Sequence, residues 1–368
     1  MISSKWLELY QYLNSQLPSL PSLQDVEPKL NDRLMFLNAQ FGQRGQEQDK
    51  NQLDWLEHES FTLVLSELFE SISITQSQLQ FLFETLMAAQ MCQLAMIATN
   101  LYKAQLPDDE FKSKCGLVYQ QLGDYEMAKA MLQESIELNA QNPMVYCHLG
   151  FNFLYMNESE LAIEQFQRCI DIAPDFIGGY QNLAGLYYQD SQFELAAKFA
   201  EQAFVCDKSL VSTYITAVSS YLALGQNDKA DQWINTAFSN DISSIELVRL
   251  AGITAHQNGR FEEALDALDH YLLLKPESYD VVSIRARVKA DLGQYHDLED
   301  DIKQLLIFEP HDEWCLEQLF LCYFHTERWA DAQLVMVELN KLAGHYKITY
   351  REQLNTINKA LSLDLVEI

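Results

Sequence analysis

Alanine returns at a fixed interval in this chain. Ala128, Ala162, Ala196, Ala230, Ala264 and Ala332 fall on a 34-residue lattice that is broken in this stretch only by Leu298. At a background alanine frequency of roughly 8%, six matches in seven preset positions arise by chance on the order of once in a million. One structural unit is therefore built repeatedly, each copy burying its apolar face against the next.

A second small-residue column lies twelve positions earlier on the lattice, at Gly116, Gly150, Ala184, Gly252 and Ala286. Two such columns mean two helices in close approach. Aromatic columns at Tyr119, Phe153, Tyr187, Tyr221 and Tyr323, and at Tyr125, Phe193, Phe261, Tyr295 and Trp329, are expected to fill the space between helices. Turns are expected at Gly123, Gly225, Gly259 and Gly293. Units close at Pro174, Pro276 and Pro310, because proline opens a helix but does not continue one. Each unit then reads as helix, tight turn, helix.

This combination resembles the tetratricopeptide repeat (TPR) family, well illustrated by Gln141 to Asp175 and by Ser244 to Ser278. The resemblance covers seven units, 109–142, 143–176, 177–210, 211–244, 245–278, 279–312 and 313–346. It implies an all-α, right-handed α-solenoid of helix-turn-helix repeats. Departures are Leu298 in the alanine column, Phe320 in the earlier small column, and Tyr271, Leu305 and Leu339 at a position held elsewhere by Ser135, Cys169, Ala203 and Ala237. Residues 1–74 are expected to form an amino-terminal helical cap or bundle, from apolar-periodic segments Trp6–Leu17, Leu30–Phe41 and Leu53–Ile72, with Gly42–Gln52 as an exposed loop. Residues 75–108 read as a degenerate hairpin with Leu94 where alanine belongs. Residues 347–368 read as a capping helix, with Ile348, Leu354, Ile357, Ala360 and Leu361 at helical spacing.

Apolar residues make up 48% of the 368, enough for a sizeable core, and 13 Gly and 8 Pro leave little material for an all-β protein. Twenty-five Lys and Arg against 53 Asp and Glu give a formal charge of −28, a field that disfavours nucleic acid and anionic lipid as partners. No stretch approaches the roughly 18 apolar residues of a membrane span, and the start lacks a secretory leader, so a cytoplasmic location without membrane insertion is expected. The seven cysteines include no CxxC pair and read as buried free thiols. There is no GxxxxGK loop and no HExxH pair, so neither a cofactor nor a metal is expected. Cys322 and His325 share a helical face, which ordinary packing explains better than a catalytic dyad. Asp300 with Asp301, and Glu262 with Glu263, read as solvated faces rather than acid–base pairs, because sequence neighbours point to different sides of a helix. The chain reads as a non-enzyme.

First helices of a solenoid line its concave side. In TPR proteins the inward positions are the second, fifth, ninth, twelfth and thirteenth of each unit. Carried onto this lattice, the groove residues are Cys147, Phe151, Leu154, Tyr155, Gln181, Tyr188, Ile215, Leu222, Arg249, His256 and Arg287. The apolar strip suits an aliphatic or aromatic peptide or an amphipathic helix, and Arg249 and Arg287 suit a carboxylate. The two-carboxylate clamp of chaperone-binding TPR proteins is absent from any three consecutive units. The expected function is a protein–protein interaction adaptor that binds a partner's peptide or helix. A secretion-type chaperone for an apolar client and a peptide-sensing receptor are the alternatives, and the sequence does not choose between monomer and homodimer.

Overall fold

Seven chain turns repeat one backbone event at a 34-residue step. Gly123, Asn157, Ser191, Gly225, Gly259, Gly293 and Glu327 all adopt positive φ, between 57° and 79°. In each, the next residue's N–H returns to the carbonyl five residues back, as from Asp124 to Tyr119 (2.9 Å) and from Arg328 to Tyr323 (2.8 Å). This six-residue cap satisfies the carbonyls orphaned at a helix end. Four of these turns use the glycines expected from sequence. Asn157, Ser191 and Glu327 accept the left-handed conformation despite a Cβ, because the flanking helices fix it.

A computed structural model describes residues 2–41 and 50–361. Among them are twenty-one α-helices, one 3-10 turn at Lys103–Gln105, and no strand. The chain divides into two units, Met1–Asn182 and Leu183–Ile368.

The first unit opens with α1 (Ser4–Gln16), α2 (Leu23–Phe41) and α3 (Lys50–Ser71). Of the run Gly42–Gln52 expected as a loop, residues 42–49 lie outside the described residues, and α3 already begins at Lys50. α2 starts seven residues before the expected Leu30, since the Ser22 carbonyl accepts from Asp25 (3.1 Å) and Val26 (3.2 Å) and closes a turn ahead of Pro28. Buried Glu57 of α3 pins α1, accepting from Ser3 N (3.0 Å), Ser3 Oγ (2.6 Å) and Trp6 Nε1 (3.1 Å). The hairpin of α4 (Gln76–Ala88) and α5 (Cys92–Leu101) starts at a capping box between Thr75 and Gln78. Its left-handed residue is Gln90 (φ 59°), 33 rather than 34 residues before Gly123. That one-residue slip puts Ala95, not Leu94, at the alanine position, and both are fully buried. One core runs without a break from Ile2 through Phe61, Phe83 and Ala95 to Val118, so the amino-terminal helices are fused to the first repeat.

α6 (Asp108–Gln121), α7 (Tyr125–Leu138), α8 (Pro143–Tyr155) and α9 (Ser159–Ile172) complete the first unit, and α10 (Ile177–Gln189) carries the boundary. The second unit continues through α11 (Phe193–Cys206), α12 (Val211–Ala223), α13 (Asn227–Ser239), α14 (Ile245–Gln257), α15 (Phe261–Leu274), α16 (Tyr279–Asp291), α17 (Tyr295–Phe308), α18 (Glu313–His325) and α19 (Trp329–Leu342). It ends in α20 (Tyr346–Thr349) and α21 (Arg351–Ala360). Each helix from α6 to α8, and from α11 to α19, packs on the next in chain order, and first helices also meet, α6 with α8, α12 with α14, α14 with α16. The architecture is an all-α solenoid of helix-turn-helix repeats.

All seven positions of the alanine lattice are fully buried, Leu298 included. The earlier small column is explained by the side chains that lie over it. A Cβ on Gly116 would sit 2.7 Å from the Leu132 side chain and one on Gly252 2.8 Å from Leu268, while Phe166 occupies that place above Gly150. The aromatic column Tyr125, Phe193, Phe261, Tyr295 and Trp329 is only half-buried, contrary to its expected role as core filler. These rings open the second helices beside the turns and stack on side chains ending the first helices, as Tyr295 does on His325 (4.2 Å, 4°). At the end of the chain, the expected single capping helix is two, split at Tyr350. Ile357 is buried but Ile348 is exposed, and the last helices are held by Tyr346 and Tyr350 hydroxyls donating to Glu313 (2.9 Å) and Glu317 (2.6 Å). Residues beyond 361 lie outside the described ones.

Candidate functional site

The first-helix positions divide between the two units. In the first, Phe151 and Tyr155 are 39% and 58% exposed, large values beside the buried Phe153 of the same helix. Phe151 stands edge-on to Phe166 (5.5 Å, 73°), and Tyr155 stacks flat on Tyr125 (5.3 Å, 11°), so each presents its remaining surface outward. Leu154 and Gln181 are half-buried. Cys147 does not join them: it is buried, and its thiol donates to Cys169 Sγ at 3.2 Å, which together with burial holds the Cys147 proton in place. Position five of this repeat therefore faces Cys169 of the paired helix.

Beside Tyr155 lies a cleft of about 560 Å³ that also involves His58, Gln93, Gln120, Gln121 and Tyr125. Among the described residues that line it there is no carboxylate and no ammonium. Burial lowers the pKa of His58, which favours its neutral form, Gln121 Oε1 accepts from Cys92 Sγ (3.2 Å), and Gln120 donates to the His148 carbonyl (3.2 Å). Gln121 and Tyr155 share the 34-residue step, but His58 and the 90–93 turn, which complete the walls, lie off that lattice and carry no sequence signal.

In the second unit Tyr188 is 37% exposed and edge-on to Phe193 (5.5 Å, 60°). Ile215 and Leu222 are half-buried and pack against the core around Val218 and Tyr221, so they expose little apolar surface. Arg249, expected to anchor a carboxylate, already has two: its Nε donates to Glu246 (2.9 Å) and Nη1 reaches Asp280 (3.5 Å). His256 Nε2 lies 3.1 Å from Asp291 Oδ2. Arg287 is exposed and sits over the Trp314 ring, 4.7 Å from its centre, and among the described residues no carboxylate pairs with it. Of the two expected anchors, Arg287 alone offers an uncompensated charge.

The charged pairs separate from expectation at one point. Asp301 is 2% exposed rather than solvated, with Oδ1 at 2.6 Å and Oδ2 at 3.0 Å from the Arg285 guanidinium and Oδ2 at 2.9 Å from Lys289 Nζ. Arg285 also pairs with Asp269 (2.6 Å), and Lys289 donates to the Asp297 carbonyl (2.9 Å). Three residues on two helices thus compensate one another in the interior, where an unpaired charge is strongly destabilising. Cys322 is fully buried and His325 stacks on Tyr295, so these two do not act together. All seven cysteines are free thiols, and among the described residues no three His, Cys, Asp or Glu converge as metal ligands. No described helix is long and apolar enough to cross a membrane.

The tetratricopeptide repeat family matches residues 114–142 and 145–176. The chain is similar to the human protein O-mannosyl-transferase TMTC1 (Homo sapiens), at 25% identity over 136 residues, covering 37% of this chain and 15% of that protein. It is also similar to the human antiviral innate immune response effector IFIT1 (Homo sapiens), at 22% over 263 residues, covering 63% of this chain and 54% of that one. The matches therefore span only part of each relative's length. Among solved structures, the carboxyl-terminal part of a TPR repeat-containing protein from Cytophaga hutchinsonii superposes with a TM-score of 0.50 at 14% identity, covering 66% of this chain and 99% of that one, a likeness of fold alone. Residues 114–142 and 145–176 thus match the tetratricopeptide repeat, and the same turn and helical hairpin recur at a 34-residue step along the chain.

Proposed function

We propose that this chain is a non-enzymatic adaptor that binds a peptide or helix of a protein partner at exposed first-helix positions within its units. The observation that supports this most is the exposure of Phe151 and Tyr155 at inward lattice positions of the first unit, beside the buried Phe153 of the same helix; Tyr188 is exposed at such a position in the second unit. Exposed rings held rigid by a stacked neighbour lose little conformational freedom on binding, the property that makes tyrosine frequent at recognition surfaces. Arg287, held flat on Trp314, is suited to an acidic or carboxylate group of the partner.

The test is affinity capture from native lysate with the wild type beside Tyr155→Asp/Tyr188→Asp, with circular dichroism and melting recorded for both. One dominant protein retained by the wild type and lost by the variant, at unchanged helicity, carries the proposal. A partner retained by the variant, or a variant that loses its fold, refutes the site.

A further inference from the structure

The ends of α15 and α17 expose apolar side chains that the repeat does not require. Leu273 and Leu274 are 81% and 65% exposed, and Ile307 and Phe308, at the same two lattice positions one repeat later, are 75% and 64% exposed. Of the other five repeats, four place Glu137, Asp171, Ser239 or Lys341 at the first of these positions and one the exposed Val205, so packing there does not demand a hydrophobe; the second position is apolar also at Leu138, Ile172 and Leu342. Between the two helix ends, Leu272, Leu273, Pro276, Arg285 and Gln304 line a cleft of about 330 Å³. Gln304 Nε2 donates to the Pro276 carbonyl (3.2 Å) and fixes one wall, while Tyr279 stands edge-on to Phe308 (5.3 Å) at the rim.

Charge is organised along the same two faces. On α15 the exposed residues Glu262 and Asp266 lead, past Asp269 that pairs with Arg285, to Leu273. On α17 Asp297 and Asp300 lead through Gln304 to Ile307. Each stripe is acidic at its beginning and apolar at its end. We infer that this surface, on the second helices, docks a helix of a protein partner that carries aliphatic residues at one end of a face and Lys or Arg at the other. A second copy of this chain would bring matching acidic stripes and a net charge of −28 to the contact, and an anionic membrane would meet the same repulsion. The inference is independent of the first-helix face.

The probe is a fluorescein-labelled synthetic helix with leucines on one half of a face and lysines on the other half of that face, compared by anisotropy with a scrambled peptide of equal composition. The full-length wild type is expected to bind the ordered peptide at least about tenfold tighter than the scrambled one. Leu273→Gln/Ile307→Gln removes that preference, Asp266→Lys/Asp300→Lys weakens binding and flattens its salt dependence, and Tyr155→Asp/Tyr188→Asp binds as the wild type does. Equal affinity for ordered and scrambled peptides, or an unchanged affinity in Leu273→Gln/Ile307→Gln, overturns the inference. So does a wild-type dimer in sedimentation that becomes a monomer in that variant, since the occupant is then a second copy.

Discussion

The second repeat (143–176) and the sixth (279–312) occupy equivalent lattice positions with opposite interiors. In the second, Leu149 and Phe153 of α8 are buried against α9, and Phe166 lies directly over Gly150. In the sixth, the equivalent positions on α16 are Arg285 and Lys289, and α17 answers them with buried Asp301. Two helices cross at the same places in both. The lattice therefore prescribes shape, and chemistry at the contact is free to vary as long as each buried group finds a partner.

The greatest damage is expected from Asp301→Ala, which leaves two cations facing an apolar contact. A loss of about 3–5 kcal/mol is expected, read as faster hydrogen exchange across α16 and α17. Next is Gly150→Val, whose side chain must displace the Phe166 ring, at a cost of about 1–3 kcal/mol measured by urea unfolding. Both changes strike one contact each and should leave distant helices protected, because each repeat touches only its neighbours. If the lattice prescribes shape alone, the two interiors can be exchanged. Arg285→Leu, Lys289→Phe and Asp301→Gln together give the sixth repeat the second one's residues, and stability is expected to stay level or rise by about 1 kcal/mol.

The smallest effect concerns pH. Burial pushes the His148 imidazole of the second repeat down to about 4, from an unfolded value near 6.5. The unfolded chain takes up this proton first, so the contribution of neutral His148 is present above pH 6.5 and is lost as pH falls toward 4. His148→Gln should flatten the decline in melting temperature between those limits relative to the wild type, with little change at pH 7.5. An identical decline in both proteins removes His148 from the acid response.

The parts legible in the sequence are those that repeat. The alanine column, four of the seven turns and the helical hairpin can be read because each needs a small or conformationally permissive residue at a fixed step. Ser191 and Glu327 cannot be read as left-handed, since neither residue prefers it and the neighbouring helices impose it. Ala95 is hidden by a one-residue slip that a strict 34-residue ruler passes over. Asp301 reads as solvated because its partners lie twelve and sixteen residues away on another helix, whereas spacing arguments along one helix see only its neighbours. The exposure of Phe151, Tyr155 and Tyr188 agrees with their lattice position. The same rule does not anticipate that Cys147 is buried against Cys169 of the opposing helix, nor that Arg249 has carboxylates from its own helix and from α16.

The recurring turn also makes the array divisible. With the same left-handed residue and the same returning N–H at each turn, joining Ser191 directly to Gln226 removes residues 192–225 and leaves a first helix from one repeat followed by a second helix from the next, in phase. Length can thus be changed by whole repeats without designing a new junction. From Ile2 to Val118, by contrast, side chains share one interior that a cut would open.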